Sequence, residues 1–320
     1  MRPILWLNVA RNSNNEGDVI TSESFERTAL AAYREDVVSV PTHLPMGVKH
    51  VPTIVRSGVV VLAGSNILSS HMERQRLWRV PALVRRALRK RVVLCGVGWW
   101  SYEHDPCRYT RRWLRQVLHP TFPHSVRDQY TAGKLAALGF NVSFTSCTST
   151  WGLPADLIQN YRATEAVVTV TDYGKSAAQD RAWIESLSRH YERLVLVPMG
   201  PGDEAYFRGE LDMRHLRIGK VGLAGLREEL PGRHYVGTRL HAGIFALQYG
   251  VPSLILAIDN RSIELCGDIN LPHVSRSVAA AGGTPPVLDH FPRSIALPKG
   301  AIQNWLNQWH IHVAAHSRSR

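Results

Sequence analysis

An arginine and a histidine stand two positions apart where a predicted strand gives way to a predicted helix. The strand ends at Gly237, and Arg239 and His241 fall in the first turn of a helix whose apolar residues recur at helical spacing. The first backbone N–H groups of a helix have no partner within it, and the helix dipole is positive there, so an anion is favoured. The segment therefore predicts a phosphate or carboxylate site. Alternatively, Arg239 forms an ordinary ion pair and His241 caps or packs.

Five other segments place small or polar residues directly after a predicted strand. In open α/β sheets, ligands bind outside the carboxyl ends of the strands. The segments are Asn15-Glu16-Gly17-Asp18, Gly64-Ser65-Asn66, Gly96-Val97-Gly98, Ser125-Val126-Arg127-Asp128 and Asp259-Asn260-Arg261. Asp18 and Asp128 could hold sugar hydroxyl groups or accept a proton from one, or each could cap a helix. The Gly64 turn would let backbone approach a ligand, although any α/β protein needs such turns.

Short β-rich runs alternate with amphipathic stretches along most of the chain, which is typical of parallel α/β architecture. The predicted strands are Ile4–Val9, Val37–Val40, Gly58–Ala63, Arg91–Gly96, Ser125–Arg127, Val142–Thr145, Ala166–Thr171, Leu194–Pro198, His234–Gly237 and Ser253–Ile258. The predicted helices are Ser22–Arg34, Met72–Lys90 with a kink or break at Pro81, Tyr109–Leu118, Tyr130–Leu138, Ala177–Arg193, Gly222–Leu230, Leu240–Tyr249 and Ala301–Val313.

The length of 320 residues exceeds what one hydrophobic core usually fills, so two domains are expected. Gly152 and Pro154 interrupt the pattern before a new series of strands and helices begins. The predicted domains are residues 1–155 and 156–320, each a doubly wound Rossmann-like sheet, and the terminal helix is assigned to the second. With 44% hydrophobic and 20% charged residues, disorder and fibrous structure are excluded.

Four cysteines lie far apart without the spacing of a Cys/His metal site, which argues against structural zinc, a catalytic metal and a disulfide framework. The apolar run from Ile4 to Val9 is too short for a signal peptide or a membrane span. A cytoplasmic protein is expected, with a possible peripheral position at the inner membrane face.

The net charge of +12 is concentrated in one stretch of the chain. From Arg74 to Arg115, eleven arginines and Lys90 face only Glu103 and Asp105, so ten of the twelve excess positive charges lie here. A basic amphipathic surface of this kind favours anionic lipid head groups or a pyrophosphate-linked precursor, although it could also be a solvated charged face. No nucleic-acid-binding motif accompanies the charge, so nucleic acid is not the expected partner.

Aromatic residues gather after the strand that ends near Gly96. Trp99 and Trp100 are adjacent, and Tyr102 and His104 follow. Aromatic faces stack on sugar rings, so Trp99 is a candidate platform for a saccharide, while packing in a core is the alternative.

The segment from Tyr235 to Asp259 resembles the polysaccharide pyruvyl transferase family. The family's R-L-H turn, the helix that follows it and the G-[VI]-P opening of the next strand are matched by Arg239-Leu240-His241, Ile244-Phe245-Ala246-Leu247 and Gly250-Val251-Pro252. Further matches occur in the family's order at Asn15-Glu16-Gly17-Asp18, Gly64-Ser65-Asn66, Ser125-Val126-Arg127-Asp128 and Cys147 to Leu153. The chain departs from the pattern with a single glycine in Ala63-Gly64-Ser65 and with Arg261 in place of lysine.

The resemblance implies a glycosyltransferase-B-like fold, with two Rossmann-like domains facing a central cleft. It also implies transfer of a pyruvyl group from phosphoenolpyruvate to two hydroxyl groups of a saccharide or a lipid-linked oligosaccharide, forming a ketal in cell-surface glycan synthesis. No further cofactor is implied. The implied residues comprise His241 and Arg127 as catalytic, Arg127, Arg239, Leu240, His241 and Arg261 at the donor, and Asn15, Asp18, Gly64, Ser65, Asn66, Trp99 and Asp128 at the acceptor.

The chemistry of the implied donor suits these residue types. Arginine is permanently charged and can bind phosphate or carboxylate through two parallel hydrogen bonds. His241 is the candidate general acid, since a bound anion favours protonated imidazole. The alternative on the same fold is a glycosyltransferase that uses a nucleotide sugar, with Glu264 as the nearest carboxylate for a donor ribose. A scaffold without activity is a third interpretation.

Overall fold

The structure is a computed structural model that describes residues 2–42, 44–75, 77–154, 162–213, 216–282 and 294–317. The chain divides into two compact units. The first comprises Met1–Ser13, Asp18–Trp151 and Leu297–Arg320, and the second comprises Asn14–Gly17 and Gly152–Ala296. We describe each unit by itself.

The strands are β1 (Ile4–Asn8), β2 (Val37–Pro41), β3 (Val59–Ala63), β4 (Val92–Cys95), β5 (His124–Val126), β6 (Val142–Phe144), β7 (Glu165–Thr169), β8 (Arg193–Leu196), β9 (Arg217–Ile218), β10 (His234–Gly237), β11 (Ser253–Ala257) and β12 (His273–Ser275). The α-helices are α1 (Glu16–Thr28), α2 (Val51–Arg56), α3 (Ala82–Ala87), α4 (Arg108–Val117), α5 (Gln129–Ala136), α6 (Ala177–Leu187), α7 (Pro201–Tyr206), α8 (Leu223–Glu229), α9 (Leu240–Gln248), α10 (Asn260–Ile269), α11 (Arg276–Gly282) and α12 (Lys299–Ser317).

The first unit contains a parallel sheet in the order β2-β1-β3-β4. The strand β3 is buried over its whole length, as expected for a strand that is covered on both faces. A parallel bridge between Val97 and Val126 joins the segment after β4 to β5, which pairs with β6. The strand order changes direction between β1 and β3, so the loops that follow these two strands flank the crevice where open α/β sheets bind ligands.

The terminal helix α12 belongs to the first unit, whereas the sequence assigned it to the second. Trp305 and Trp309 are fully buried, and their rings stack with centroids 5.7 Å apart. The indole N–H of Trp305 donates to the carbonyl of Pro123 at 2.8 Å, and that of Trp309 donates to the carbonyl of Ala29 at 3.0 Å. Two buried, satisfied tryptophans therefore anchor the end of the chain on the sheet of the first unit.

The second unit contains a parallel sheet in the order β12-β11-β10-β7-β8-β9. The strands β7, β8 and β9 follow one another in one direction, and β10, β11 and β12 follow in the other, which is the Rossmann order. The direction changes between β7 and β10. The loops after these two strands therefore border the crevice of the second sheet.

All ten predicted strands are present, but several helices differ from the prediction. The short strands β9 and β12 were not predicted because neither has an apolar run. The helix α1 begins at Glu16, six residues before the predicted start, so Asp18 lies inside a helix and does not cap it. The predicted helix from Met72 to Lys90 is reduced to α3, because Pro81 has extended backbone and stands immediately before Ala82.

A buried histidine predicts that the first unit loses stability in acid. His124 is inaccessible to solvent, its Nδ1 accepts the N–H of Leu94 at 3.2 Å, and its Nε2 donates to the carbonyl of His119 at 3.0 Å. Burial lowers the pKa of His124 to about 4. The unfolded chain binds a proton below about pH 6.5 and the folded chain does not, so stability falls as the pH drops from about 6.5 to about 4. The expected loss is about 3 kcal/mol.

Urea unfolding at several pH values measures this loss. The His124→Gln variant keeps a hydrogen-bond acceptor and a donor but cannot take up a proton, so its stability should depend less on pH than that of the wild type. His104→Gln at an exposed position is the control. Equal pH dependence of the wild type and His124→Gln would contradict the expectation.

Candidate functional site

Two arginines flank one tyrosine ring at the carboxyl edge of the second sheet. Tyr173 follows β7, Arg239 follows β10 and Arg261 follows β11. The guanidinium carbons of Arg239 and Arg261 lie 4.9 Å and 4.8 Å from the centre of the Tyr173 ring, within cation–π distance. Because β7 and β10 are the strands between which the order reverses, this cluster stands where a ligand is expected. We call these three residues the arginine–tyrosine cluster.

Arg239 is held by two carboxylates. Its Nε donates to Asp203 at 2.9 Å, and its Nη2 donates to Asp203 and, at 3.0 Å, to Asp172. Asp203 is fully buried and also accepts the backbone N–H of Met199 at 3.0 Å. Burial raises the pKa of Asp203. Burial alone would lower the pKa of Arg239, but the hydrogen bond and the negative charge of Asp203 outweigh this effect, so the pKa of Arg239 is raised. Nη1 of Arg239 takes part in none of these bonds.

Arg261 is oriented in the same way by the residue that caps its helix. Asp259 accepts from Arg261 Nε at 2.7 Å, and it caps α10 by accepting the N–H of Ser262 at 3.0 Å. Burial acts to lower the pKa of Arg261, but the neighbouring Tyr173 and Asp259 outweigh it and raise that pKa. A charged guanidinium is thus fixed beside the Tyr173 ring.

His241 is the second residue of α9 and is half-buried. A Cβ atom placed on Gly17 would lie 2.9 Å from His241 Nδ1, so only glycine allows the imidazole to approach this closely. The N–H of Gly17 donates to the side chain of Asn15 at 3.1 Å. This contact brings the Asn15-Glu16-Gly17 segment against the R-L-H turn within the second unit. The two segments are more than 200 positions apart in the sequence. The Leu240 side chain is 6% exposed and packs, and the contact of this residue with the donor stays a prediction.

A buried hydroxyl group beside the cluster has no hydrogen-bond partner among the described residues. Thr238 lies between β10 and Arg239, and its side-chain oxygen is buried without a hydrogen bond to any described residue. Unsatisfied buried hydroxyl groups are uncommon in native proteins.

In the first unit, Arg127 is buried in a hydrogen-bonded network. Its Nε and Nη2 donate to Asp128 at 3.1 Å and 3.0 Å, and Nη2 donates to Asn66 at 3.2 Å. Asp128 also caps α5 through the N–H of Thr131 at 2.7 Å, as the capping interpretation expected. The Arg127 side chain is 3% exposed. The residue therefore orients Asn66 and Asp128, and its direct contact with a donor stays a prediction.

The turn after β3 requires its glycine. Gly64 has φ +74°, and a Cβ atom there would lie 2.5 Å from the side chain of Thr21 in α1. Ser65 also has a positive φ, of 66°. The turn packs tightly against α1, and Ser13 donates to the Asp18 carboxylate of that helix at 2.9 Å. Close packing alone explains the small residues here, and their contact with an acceptor stays a prediction.

Trp99 packs in a core and is not an open platform. It is fully buried, and its indole N–H donates to Glu103 at 2.9 Å. Stacking on a sugar requires an accessible ring face, which Trp99 lacks. Its neighbours Trp100 and Tyr102 are 40% and 53% exposed. An aromatic contact with a saccharide from this segment would therefore come from Trp100 or Tyr102.

Gly98 gives a test of the Arg127 network. A Cβ atom on Gly98 would lie 2.2 Å from Arg127 Nη2. We expect Gly98→Ala to displace the guanidinium and to lower the free energy of unfolding by about 3 kcal/mol, because a displaced buried charge loses its partners. Gly133→Ala in α5, where an added Cβ meets nothing, should leave stability unchanged or raise it slightly. Chemical denaturation compares the two, and equal stabilities would contradict the network.

One cluster of possible metal ligands occurs among the described residues, although the sequence spacing indicated none. His71, Glu73 and Cys107 place a ligand atom each within 4.8 Å of one another. His71 Nδ1 lies 3.2 Å from one Glu73 oxygen, and the Cys107 thiol donates to the other at 3.3 Å. The cluster is missed in sequence because Cys107 lies 34 positions from Glu73. Hydrogen bonding among the three side chains accounts for their proximity.

Comparison with known proteins identifies the family of the chain. The family model of polysaccharide pyruvyl transferase matches residues 15–260, about three quarters of the chain. Among curated proteins, no sequence matches significantly. No helix among the described residues is long and apolar enough to cross a membrane.

Solved structures show the same fold. One is the Staphylococcus aureus MnaA–UDP co-structure, with a TM-score of 0.60 and 12% identity, covering 100% of this chain and 99% of that one. Another is the UDP-GlcNAc 2-epimerase of Methanocaldococcus jannaschii in complex with UDP-GlcNAc and UDP, with a TM-score of 0.53 and 12% identity, covering 97% and 98%. These likenesses confirm the expected glycosyltransferase-B-like α/β fold with parallel sheets. By its match to the family model, the chain belongs to the polysaccharide pyruvyl transferase family and is a transferase.

Proposed function

We propose that the chain transfers the pyruvyl group of phosphoenolpyruvate to two hydroxyl groups of a saccharide in the synthesis of a cell-surface glycan. The observation that carries the proposal is the arginine–tyrosine cluster at the crevice of the second sheet, in a chain that matches the family over residues 15–260. Two oriented guanidinium groups on one ring suit a small ligand with both a phosphate and a carboxylate.

In the proposed donor site, Arg239 and Arg261 bind the donor through the Nη1 groups that their carboxylates leave unused. Asp203 and Asp259 then act as orienting partners, since they fix the planes of the guanidinium groups. Asp172 is 43% exposed, and it is the partner that a bound anion displaces most readily. The buried Thr238 hydroxyl supplies a further hydrogen-bond donor at this edge of the sheet.

The chemical step begins with a proton delivered to the methylene carbon of phosphoenolpyruvate. His241 is the proposed acid, because histidine is the side chain that most often serves as a general acid and because its ring lies against Gly17. Positive charge then develops on the central carbon, and one saccharide hydroxyl group attacks there and loses its proton. Phosphate then leaves with the C–O bonding electrons, and the second hydroxyl group attacks the same carbon and loses its proton, which completes the ketal. Of the two protons that the hydroxyl groups lose, one restores His241 and the other protonates the released phosphate.

The acceptor is proposed to contact Asn15, Asp18 and the Gly64-Ser65-Asn66 turn. Asn66 carries the most specific support, because its side chain is fixed between Arg127 Nη2 and the carbonyl of Trp100, to which it donates at 3.1 Å. Asp128 is a weaker candidate, since it is only 2% exposed and also caps α5.

The test is incubation of the purified protein with phosphoenolpyruvate and a panel of free and lipid-linked saccharides, with phosphate release as the readout. We expect release that depends on the saccharide. The competing function on this fold is sugar transfer from a nucleotide donor, for which Glu264 on α10 is the first acidic residue after the Asp259 turn. Binding of a sugar nucleotide, without phosphoenolpyruvate binding or phosphate release, would replace the proposal with that function.

A further inference from the structure

A groove of about 800 Å³ on the first unit is lined by eight cations. Three arginines and Lys90 lie between residues 85 and 90, at and after α3, and four arginines lie between residues 108 and 115, on α4. These residues supply most of the charge excess that the sequence concentrates between Arg74 and Arg115. We call this surface the basic groove.

The positive charges of the basic groove are not neutralised by any carboxylate among the described residues. None of the eight forms an ion pair with a carboxylate of the described residues. The Nε of Arg85 is buried and has no hydrogen-bond partner among the described residues. Like charges held this close repel one another and destabilise the folded unit, unless an anion binds between them.

The helices α3 and α4 each bury one apolar face, and their cations lie on the other face, which is exposed. Val84 of α3 and Trp113, Leu114 and Val117 of α4 are buried in the core of the first unit. The arginines of α4 all occupy its exposed face. Packing of the two helices on the sheet thus fixes the groove without any ligand.

Exposed apolar side chains accompany the charge. Leu83 is 55% exposed and precedes Arg86 by three positions on α3, so both lie on one side of that helix. Tyr109, at the start of α4, is 47% exposed, and its hydroxyl accepts from Arg85 at 3.3 Å. Clustered cations beside apolar and aromatic side chains are typical of proteins that lie on an anionic bilayer, whereas a soluble polyanion offers nothing for the apolar groups.

We propose that the basic groove docks the protein on a membrane surface rich in anionic lipid head groups, with Leu83 and Tyr109 entering the head-group layer. This inference goes beyond the proposed function and does not depend on it, because the groove and the arginine–tyrosine cluster share no residue. Docking would bring the enzyme to acceptors that are carried on lipid.

The experiment is co-sedimentation of the full chain with vesicles of phosphatidylglycerol and phosphatidylcholine, compared with vesicles of phosphatidylcholine alone. We expect binding only to the anionic vesicles, and weakening as salt rises. The variant Arg86→Glu/Arg112→Glu should bind at least about 25-fold more weakly, since each basic residue near an anionic surface contributes about a fivefold factor. Arg34→Glu/Arg189→Glu has the same net charge with both changes at exposed positions outside the groove, so it should bind nearly as the wild type does.

Two further measurements test whether the basic groove docks on the membrane surface. Leu83→Ser should weaken vesicle binding even at high salt, while Ile311→Ser, at a residue of α12 that is 70% exposed, should not. The groove variant should be as stable as the wild type or more so, because it relieves repulsion. Absence of vesicle binding at low salt, or equal loss in the two double variants, would overturn the inference. Binding of an oligonucleotide in the groove without vesicle binding would assign a soluble polyanion instead.

Discussion

Replacing Arg239 with alanine is expected to abolish detectable binding of phosphoenolpyruvate. The loss should be at least about 30-fold, since a buried, hydrogen-bonded charge contributes about 2–5 kcal/mol to the binding of its partner. Arg239 is the only member of the arginine–tyrosine cluster that lies both at the first turn of α9 and beside the strands where the sheet order reverses. Isothermal titration with phosphoenolpyruvate measures the effect.

Two further variants separate lost binding from lost structure. Arg239→Ala leaves the buried Asp203 without its arginine, so the variant must be shown to be folded by circular dichroism and thermal unfolding. Arg217→Ala removes a different arginine that pairs with a buried carboxylate of the second unit, Glu229, at 2.8 Å, and it should keep normal binding. Arg239→Lys keeps the charge but not the planar geometry and should bind weakly. Normal binding by a folded Arg239→Ala would contradict the proposed donor site.

Replacing His241 with alanine is expected to preserve binding of phosphoenolpyruvate and to lower turnover. General acid catalysis contributes a factor of about 100 to 10,000, so kcat should fall within that range while the dissociation constant changes little. Gly17→Ala should give the same pattern in milder form, because the added methyl group displaces the imidazole without removing it. Steady-state rates and titrations on the same preparations measure both quantities.

His190→Ala is the matched control, since His190 is exposed in the second unit and lies after α6. It should behave as the wild type does. Equal turnover of His241→Ala and the wild type would remove His241 from the mechanism. A parallel loss of binding and turnover would instead make His241 a donor-binding residue.

The sequence predicted the fold well, because buried parallel strands are continuous apolar runs. The strand β10, from His234 to Gly237, was predicted with its exact bounds. The R-L-H turn was also placed correctly after that strand, because a helix with apolar residues at regular spacing follows it. Strands as short as β9 carry too few residues for any periodicity to be seen.

The partners of the site residues were not predictable in the same way. Asp203 lies on α7, a helix of six residues that begins at a proline, and neither its helix nor its burial leaves a periodic pattern. Tyr173 follows a predicted strand, so its place at the strand end could be predicted. Its contact with the two arginines could not, because nothing in the sequence separates one tyrosine in a loop from another. Trp99 had two interpretations in the sequence, and only its complete burial decided for packing.

The central claim is that this chain forms a pyruvyl ketal on a saccharide. The most direct measurement uses phosphoenolpyruvate labelled with carbon-13 and follows the label by nuclear magnetic resonance. We expect all three labelled carbons to move to the saccharide, the former methylene carbon to become a methyl group, and one phosphate to be released for each transfer. Release of phosphate with the label in free pyruvate, or transfer of a sugar from a nucleotide donor with no label incorporated, would contradict it.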